Sequence, residues 1–587
     1  METQSCIARP KERDEMLVIT ASQCLHDVQM HVAETLGVPV NKITTKIRRL
    51  GGAFGGKERP SVPVAKMCAV AAKKVGRAVR LVLGRDEDMQ FVGTRHSVLA
   101  KYKVGCTADG QLKALQLEMF LNGGCTEGWS PVIAGTMLKH ADNAYKIPAY
   151  DIKTRICKTN IASCVAMRGA GTPKPMAVIE MIMDALARNS GIPPEKIREI
   201  NLYKEGDVDI IYQELPDIVN LRRCWDECLK RSDFYQRRIL IEDFNSKNRW
   251  KKKGLAIVPV KRIIAIASLF LNQASALVHI YLDGSVLITH GGIEMGQGLY
   301  TKTIQIASRA LHIPPERIHI NETSSDKVPN ATLTGASVGT ELYGNAVKIA
   351  CETLMERLEP LIYENPKGSW EDWVNAAYMR RISLSTSGFF KYPDVISVNW
   401  DNLKSSKGQY YFSYGAGCCE VEVDCLTGDH QLKRTDIVMD VGDSLNPALD
   451  IGQIEGGFLQ GYGLYTLEEL RYSKEGKLLT KGPGMYRIPQ IGDIPSQFNI
   501  TLLKRAPCKV GLYSSKSVGE PPVHLAFAAH LAIKDAISSA RADAGIDGHF
   551  RLDSPATPER IRLACADEFT KDVKDNTTFD CEFFVRP

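Results

Sequence analysis

No two of the sixteen cysteines in this 587-residue chain are spaced C-x-x-C. That spacing is the usual signature of zinc and iron–sulfur sites, so no metal centre built from the chain's own side chains is expected. Long apolar runs are missing too. The longest, Ile263 to Leu271, is too short to span a bilayer, which points to no membrane partner. The first fifteen residues are charged and polar, without the apolar core of a secretory signal. A cytoplasmic protein with reduced thiols is expected, a peroxisomal location being the alternative. Charge of one sign is scarce: the net charge is +6, and the one dense basic run is Lys251-Lys252-Lys253. It reads as a solvated linker, and nucleic acid is not expected as a partner. No repeat, low-complexity segment or heptad pattern occurs.

What is present is an ordinary globular composition, 44% hydrophobic and 24% charged, in a chain too long for one core. Asp109-Gly110, Asp283-Gly284, Thr427-Gly428-Asp429 and Glu475-Gly476 each sit between apolar runs and predict four hairpins. Helices are predicted over Val64 to Val75, Pro173 to Asn189, Cys224 to Asn248, Thr301 to His312 and Val523 to Ala540. Mixed hairpins and helices argue for an α+β fold rather than a doubly wound parallel sheet. A change of character over 206–253, charged and rich in Arg, Trp and Tyr, separates a first domain (1–205) from a second (254–587).

Four glycine-rich turns precede helices: Gly51 to Glu58, Arg168-Gly169-Ala170-Gly171, Met295-Gly296-Gln297-Gly298 and Gly519-Glu520. Each is expected to leave backbone N–H groups free at the positive end of a helix, an arrangement suited to an anionic ligand. Packing in tight turns is the plain alternative for any one of them. None matches the single phosphate loop G-x-x-x-x-G-K-[ST]. Four together point to one large ligand held by scattered loops. Glu520, before Pro521 and Pro522, is either a helix-dipole partner or a base in a dry pocket.

At these residues the chain closely resembles the molybdenum-binding C-terminal part of the xanthine dehydrogenase and aldehyde oxidase family. The motifs run in order: ETQS at Glu2, GGAFGGKE at Gly51, RGAG at Arg168, GGIEMGQGLYTK at Gly291, TGASVGTELYG at Thr334, VMDVGDSLNPALDIGQIEGGFLQG at Val438 and SKSVGEPP at Ser515. KGSWEDWVNAAY at Lys367 and FRLDSPATPERIR at Phe550 read the same way, closest to xanthine dehydrogenase. The resemblance implies two tightly associated mixed α/β domains with molybdopterin between them. It places Phe54, Gly55, Arg168, Gly296, Gln297, Ala336, Ser337, Val338 and Gly519 around that cofactor, with no side chain bound directly to the metal. It makes Glu520 the base for hydroxylation of a small molecule with water-derived oxygen. Purines, other N-heterocycles and aldehydes are the implied substrates, and the implied assembly is a homodimer.

Departures from the family pattern bear on substrate and completeness. Glu58 matches the purine-binding glutamate, but Thr136 stands where a purine-polarising arginine is expected. Ala170 and Ile266 stand where stacking phenylalanines are expected. These losses, roughly 1–3 kcal/mol for a polar contact and ~1 kcal/mol for a ring, point to aldehydes or bulkier heterocycles rather than xanthine. A GGQ motif, two [2Fe-2S] domains and an FAD domain would precede Glu2 in the family. The chain is therefore expected to be part of a longer enzyme or assembly that passes electrons to NAD or oxygen. A remnant that keeps the fold without turnover is a second expectation, and a generic phosphate-binding protein a third.

Overall fold

A computed structural model describes residues 1–266, 268–392, 398–399, 402–405 and 411–570. Four sheets, each packed against helices, make up the described fold. The first is five-stranded and mixed, in the order Thr323–Ser324, Ile43–Ile47, Met16–Thr20, Ser5–Pro10, Val79–Val82. Helices Leu25–Leu36 and Ser61–Val75 cover it through Val28, Val32, Ala65, Cys68, Ala69 and Ala72. The second sheet pairs Val98–Cys106 with Leu112–Gly124 antiparallel, then Leu112–Gly124 with Ala149–Lys158 parallel.

The third sheet orders Ile318–Ile320, Val286–His290, Gln273–Ile280 and Ser385–Lys391 beneath the long helix Gly339–Glu364. The fourth orders Gln497–Leu502, His430–Met439, Tyr411–Asp424 and Lys251–Ile264. Helix Phe527–Asp543 lies so close to strand Lys251–Ile264 that a Cβ on Gly254 would fall 1.9 Å from the Ala532 carbonyl. This is the mixed α+β architecture the sequence predicts.

Three of the four hairpins form as expected around Asp109-Gly110, Asp283-Gly284 and Gly428. The fourth shrinks to a single bridge, Tyr472 to Leu478. The helix expected over Cys224 to Asn248 is two, Val219–Arg231 and Phe234–Lys247, broken where Asp233 turns to φ 50°. The last apolar helix divides into Pro522–Leu525 and Phe527–Asp543, with Ala526 still helical in φ and ψ. Lys251-Lys252-Lys253 is not a solvated linker. It opens the strand Lys251–Ile264, and Lys252 is buried, donating to the Asn245 carbonyl and paired with Asp543 at 2.5 Å.

The two halves of the chain share one core. Leu115, Leu117, Ile179, Ile182 and Trp225 belong to the same buried cluster as Leu255, Ile257, Ile263, Phe412 and Val438. Polar groups fix the register of that seam. Asn143 accepts from Lys261 N (3.3 Å) and donates to Pro259 O (3.1 Å), and Lys261 Nζ donates to Asp142 Oδ2 at 2.8 Å. Asp142 and Lys261 are both buried. A second carboxyl, Asp209, lies 4.0 Å from Lys261, its pKa pushed up to about 6 by burial against the pull of Lys261. Removing one charge of such a pair strands the other in a dry interior. Asp142→Asn is therefore expected to lower stability by about 3–5 kcal/mol, read as a drop in the urea midpoint.

Candidate active site

The glycine-rich turns meet at a cavity of about 610 Å³ walled by residues from both halves of the chain. The ends of the first-half loops are stapled together before they reach it. Glu2 Oε1 accepts from Gly51 N at 3.0 Å and pairs with Lys57 Nζ at 2.7 Å. Gln23 Oε1 accepts from Gly55 N and Lys57 N, while its Nε2 donates to Thr334 O. Arg168 N donates to Phe54 O at 2.7 Å. Only glycine fits at 55: φ is 107°, and a Cβ would lie 2.2 Å from the Ala166 carbonyl. Phe54, Ala170, Ala336 and Ser337 all carry positive φ, a concentration of strained non-glycine backbone in the cavity wall.

Arg168 ties these loops to the far end of the chain. Its Nε donates to Gly519 O at 2.6 Å, Nη2 to Gln453 O and Oε1, and Nη1 to Gln460 Oε1. Burial brings its pKa down to about 10, opposed by the charge of Glu520. At Gly519 a Cβ would lie 2.4 Å from Ser337 Oγ, so a side chain there would displace the serine hydroxyl. Ser517 completes the junction: its Oγ donates to Ser337 O and its N to Tyr411 Oη, both at 2.7 Å.

The expected free N–H groups are only partly free. Around helix Leu299–Leu311 the buried Glu294 takes them: its carboxylate accepts from Gly296 N, Gly298 N and Tyr300 N at 2.9–3.1 Å. The Gln297 amide faces its own loop, accepting from Met295 N and donating to Ile293 O. The backbone N–H groups of Ala336 and Ser337, before helix Gly339–Glu364, have no hydrogen-bond partner among the described residues. Phe54, Gly55, Arg168, Gly296, Gln297, Ala336, Ser337 and Gly519 all line the cavity. Val338 does not; its side chain is buried in the core beneath.

Glu520 and Glu58 both reach this cavity, as do Thr136, Ala170 and Ile266. Thr136 Oγ1 is spent on Val132 O at 2.8 Å. Ile266 is buried and held by Asn272 through paired backbone contacts. Two wall residues escaped the sequence reading. Trp129 supplies a ring, with Arg59 stacked 4.6 Å over its centre. Arg262, from strand Lys251–Ile264, donates through Nη2 to Glu520 Oε2. The available signal was a basic pair, Lys261-Arg262, inside a run whose alternation would bury it. Behind Arg262 lies His140, accepting at Nε2 from Ile263 N and donating from Nδ1 to Thr136 O. Burial first, and Arg262 second, hold its pKa well below the ordinary range, which keeps it neutral.

A larger cleft of about 1700 Å³, lined by Arg95, Lys174 and Glu468 among others, shares Phe54, Ala166 and Met167 with this cavity. It holds neither Glu58 nor Glu520, which both line the smaller cavity. Among the described residues no group of three His, Cys, Asp or Glu side chains could hold a metal ion. A metal here would depend on ligands carried by its cofactor.

Burial, then the charges of Glu520 and Asp27, push the Glu58 carboxyl up to about 8. The folded protein thus keeps a proton that the unfolded chain loses near 4.5, and stability falls as pH rises between those values. Glu58→Gln abolishes that slope. The variant is expected to match the parent near pH 4.5 and to exceed it by on the order of 4 kcal/mol above about pH 8, measured by denaturant titration at both ends.

Family models described as molybdopterin cofactor-binding domains match residues 1–202 and 227–495. Xanthine dehydrogenase/oxidase of Gallus gallus is 54% identical over 97% of this chain and 42% of its own length. Aldehyde oxidase of Homo sapiens is 49% identical over 97% of this chain and 42% of its own length. The chain thus spans less than half the length of the curated relatives it matches. Among solved structures, quinoline 2-oxidoreductase from Pseudomonas putida 86 superposes with a TM-score of 0.84 at 22% identity, covering 96% of this chain and 74% of that one. Aldehyde oxidoreductase from Desulfovibrio gigas gives 0.81 at 24% identity, with 96% and 59% coverage, and both share the fold. Two cofactor-domain models and end-to-end identity near one half place this chain in the molybdopterin-binding C-terminal part of the xanthine dehydrogenase and aldehyde oxidase family.

Proposed function

We propose that this chain is the molybdenum-cofactor portion of a hydroxylase acting on aldehydes or N-heterocycles, with Glu520 as its base. The observation that carries the reading is one cavity that brings Glu520 together with the strained, donor-bearing turns at Phe54-Gly55, Ala336-Ser337 and Gly519. The residues present fit molybdopterin. Unpartnered N–H groups at Ala336 and Ser337 suit its anionic oxygens, and glycine at 55 and 519 lets those turns pack closely into the cavity wall. Phe54, Gly296, Gln297 and Arg168 complete the cofactor wall in this proposal, with Val338 supporting it from the core.

When bound, the cofactor supplies oxygen transfer and two-electron redox chemistry at molybdenum. The chain's own residues orient the reactants and move the proton. Arg168 fixes the Gly519 carbonyl and so aims the neighbouring Glu520 carboxylate, which accepts the proton released as oxygen is delivered. Glu58, still protonated at neutral pH, is a hydrogen-bond donor to a substrate ring nitrogen or carbonyl. Trp129, Ile266 and Leu271 keep the reacting carbon in a largely apolar surround. With Thr136, Ala170 and Ile266 in the wall, one purine contact remains at Glu58, and xanthine is a poor substrate. Electrons leave through iron–sulfur and flavin groups carried outside this chain, towards NAD or oxygen.

The ion pair between Arg262 and Glu520 favours a second reading, a protein that keeps the fold and cofactor without turnover. One experiment separates the two. The chain is produced in a host that makes molybdopterin, its metal and pterin are quantified, and a redox dye serves as acceptor with aldehydes, N-heterocycles and xanthine. Stoichiometric cofactor and dye reduction with aldehydes are expected. Glu520→Gln is expected to keep the cofactor and lose about 10²–10⁴-fold in kcat. Cofactor without turnover in the parent protein would establish the second reading, and a low KM for xanthine would overturn the substrate assignment.

A further inference from the structure

We propose that Arg262 makes the cavity selective for substrates bearing a carboxylate, which takes Arg262 from Glu520 as it docks and leaves the base free. This rests on the hydroxylase reading above and adds its substrate class. Arg262 is only 5% exposed, and among the described residues its one hydrogen-bond partner is Glu520. Its Nε and Nη1 have no partner among those residues and are shut off from solvent. A buried guanidinium left with unspent donors is costly, about 1–3 kcal/mol for each unmade bond.

Its neighbours do not share this deficit. Lys261, one residue earlier, has Asp142 and Asp209. Arg168 spends its three nitrogens on Gly519, Gln453 and Gln460. Lys302 and Lys516 are paired with Asp450 at 2.6 Å and Asp440 at 2.7 Å. Glu58 stays protonated at neutral pH. The lining also holds Glu341, whose carboxyl accepts from Tyr411 Oη, so among the described residues Arg262 is the lining cation that keeps unspent donors.

A carboxylate answers those unspent donors. Its two oxygens match the planar fork of a guanidinium, and no neutral aldehyde or heterocycle offers the same. Reaching Nε or Nη1 requires the long Arg262 side chain to turn, and turning breaks the contact with Glu520. Substrate recognition and release of the base are thus one movement. The apolar wall of Trp129, Ile133, Ile266, Leu271 and Leu333 receives the body of such a molecule. The fit is to an aromatic or aliphatic aldehyde, or an N-heterocycle, that carries an acid group.

Calorimetric titration of the 587-residue chain with benzoate and with its neutral isostere benzamide tests this without turnover. Benzoate is expected to bind about tenfold or more tighter than benzamide. Arg262→Gln should erase the preference and Arg262→Lys, which keeps the charge without the fork, should retain only part of it. Glu520→Gln, which removes the competing carboxylate, should tighten benzoate further, an effect that a merely structural Arg262 would not produce. Equal binding of the two probes, a preference that survives Arg262→Gln, or weaker benzoate binding by Glu520→Gln would each overturn the proposal. Should Arg262→Gln fail to fold, the lysine and Glu520 variants still decide. The cofactor reading fails separately, by absence of released pterin fluorescence, which leaves the benzoate comparison intact.

Discussion

Two consecutive cations on one buried strand, Lys261 and Arg262, must each find a carboxylate. Side chains alternate along a strand, so the two face opposite ways. Lys261 turns to Asp142 and pins the strand to the first half of the chain. Arg262 turns to Glu520 and enters the cavity wall. A shift of one residue in register would exchange them, sending Lys261 into the cavity and stranding Asp142. The pairing of Lys251–Ile264 with Tyr411–Asp424, which sets Arg262 opposite Ser413, therefore fixes the seam and the site in one step. The Asn143 contacts at Pro259 and Lys261 lock that register from the other side.

The loops that meet this strand are held by side chains rather than by their own ladders. Arg168 spans 351 residues to Gly519, and Gln23 spans 311 to Thr334. These long-range contacts sustain positive φ at Phe54, Ala170, Ala336 and Ser337, conformations that cost on the order of 1–3 kcal/mol each. Strain at four points in one wall is affordable only where the surroundings over-determine the backbone. The result is a pre-shaped cavity whose donors at Ala336 and Ser337 remain unspent among the described residues.

Local signals carried much of this. Asp-Gly turns, the Pro173 start with its Gly191 stop, and the apolar spacing before Asp543 are set by neighbours in sequence, and their elements appear where expected. The cavity residues were legible because their motifs are long and ordered. What escaped depends on distant partners. Nothing near Gly296 announces that Glu294 will fold back over three N–H groups of its own loop. The burial of Lys252 is decided by Asn245 and Asp543, and the entry of Arg262 into the site by Glu520, 258 residues away. The left-handed Asp233 that breaks the connecting helix has the same character, since helix propensity alone would carry through it.

Two carboxyls of the cavity, Glu58 and Glu520, show how position divides one chemical group into two roles. Glu58 accepts no hydrogen bond from the described residues and sits in apolar surroundings with two like charges near, so it retains its proton. Glu520 is in contact with a guanidinium, and a second guanidinium grips the carbonyl of the residue before it. One carboxyl is thereby suited to donate and the other to accept. That division needs no difference in residue type, only the placement of Arg168 and Arg262 on the Glu520 side of the cavity. The same placement means that Glu520 gains freedom as a base only when something else satisfies Arg262. On the proposed mechanism, reactivity in this site is governed by the occupant of a guanidinium as much as by the carboxylate assigned the proton transfer.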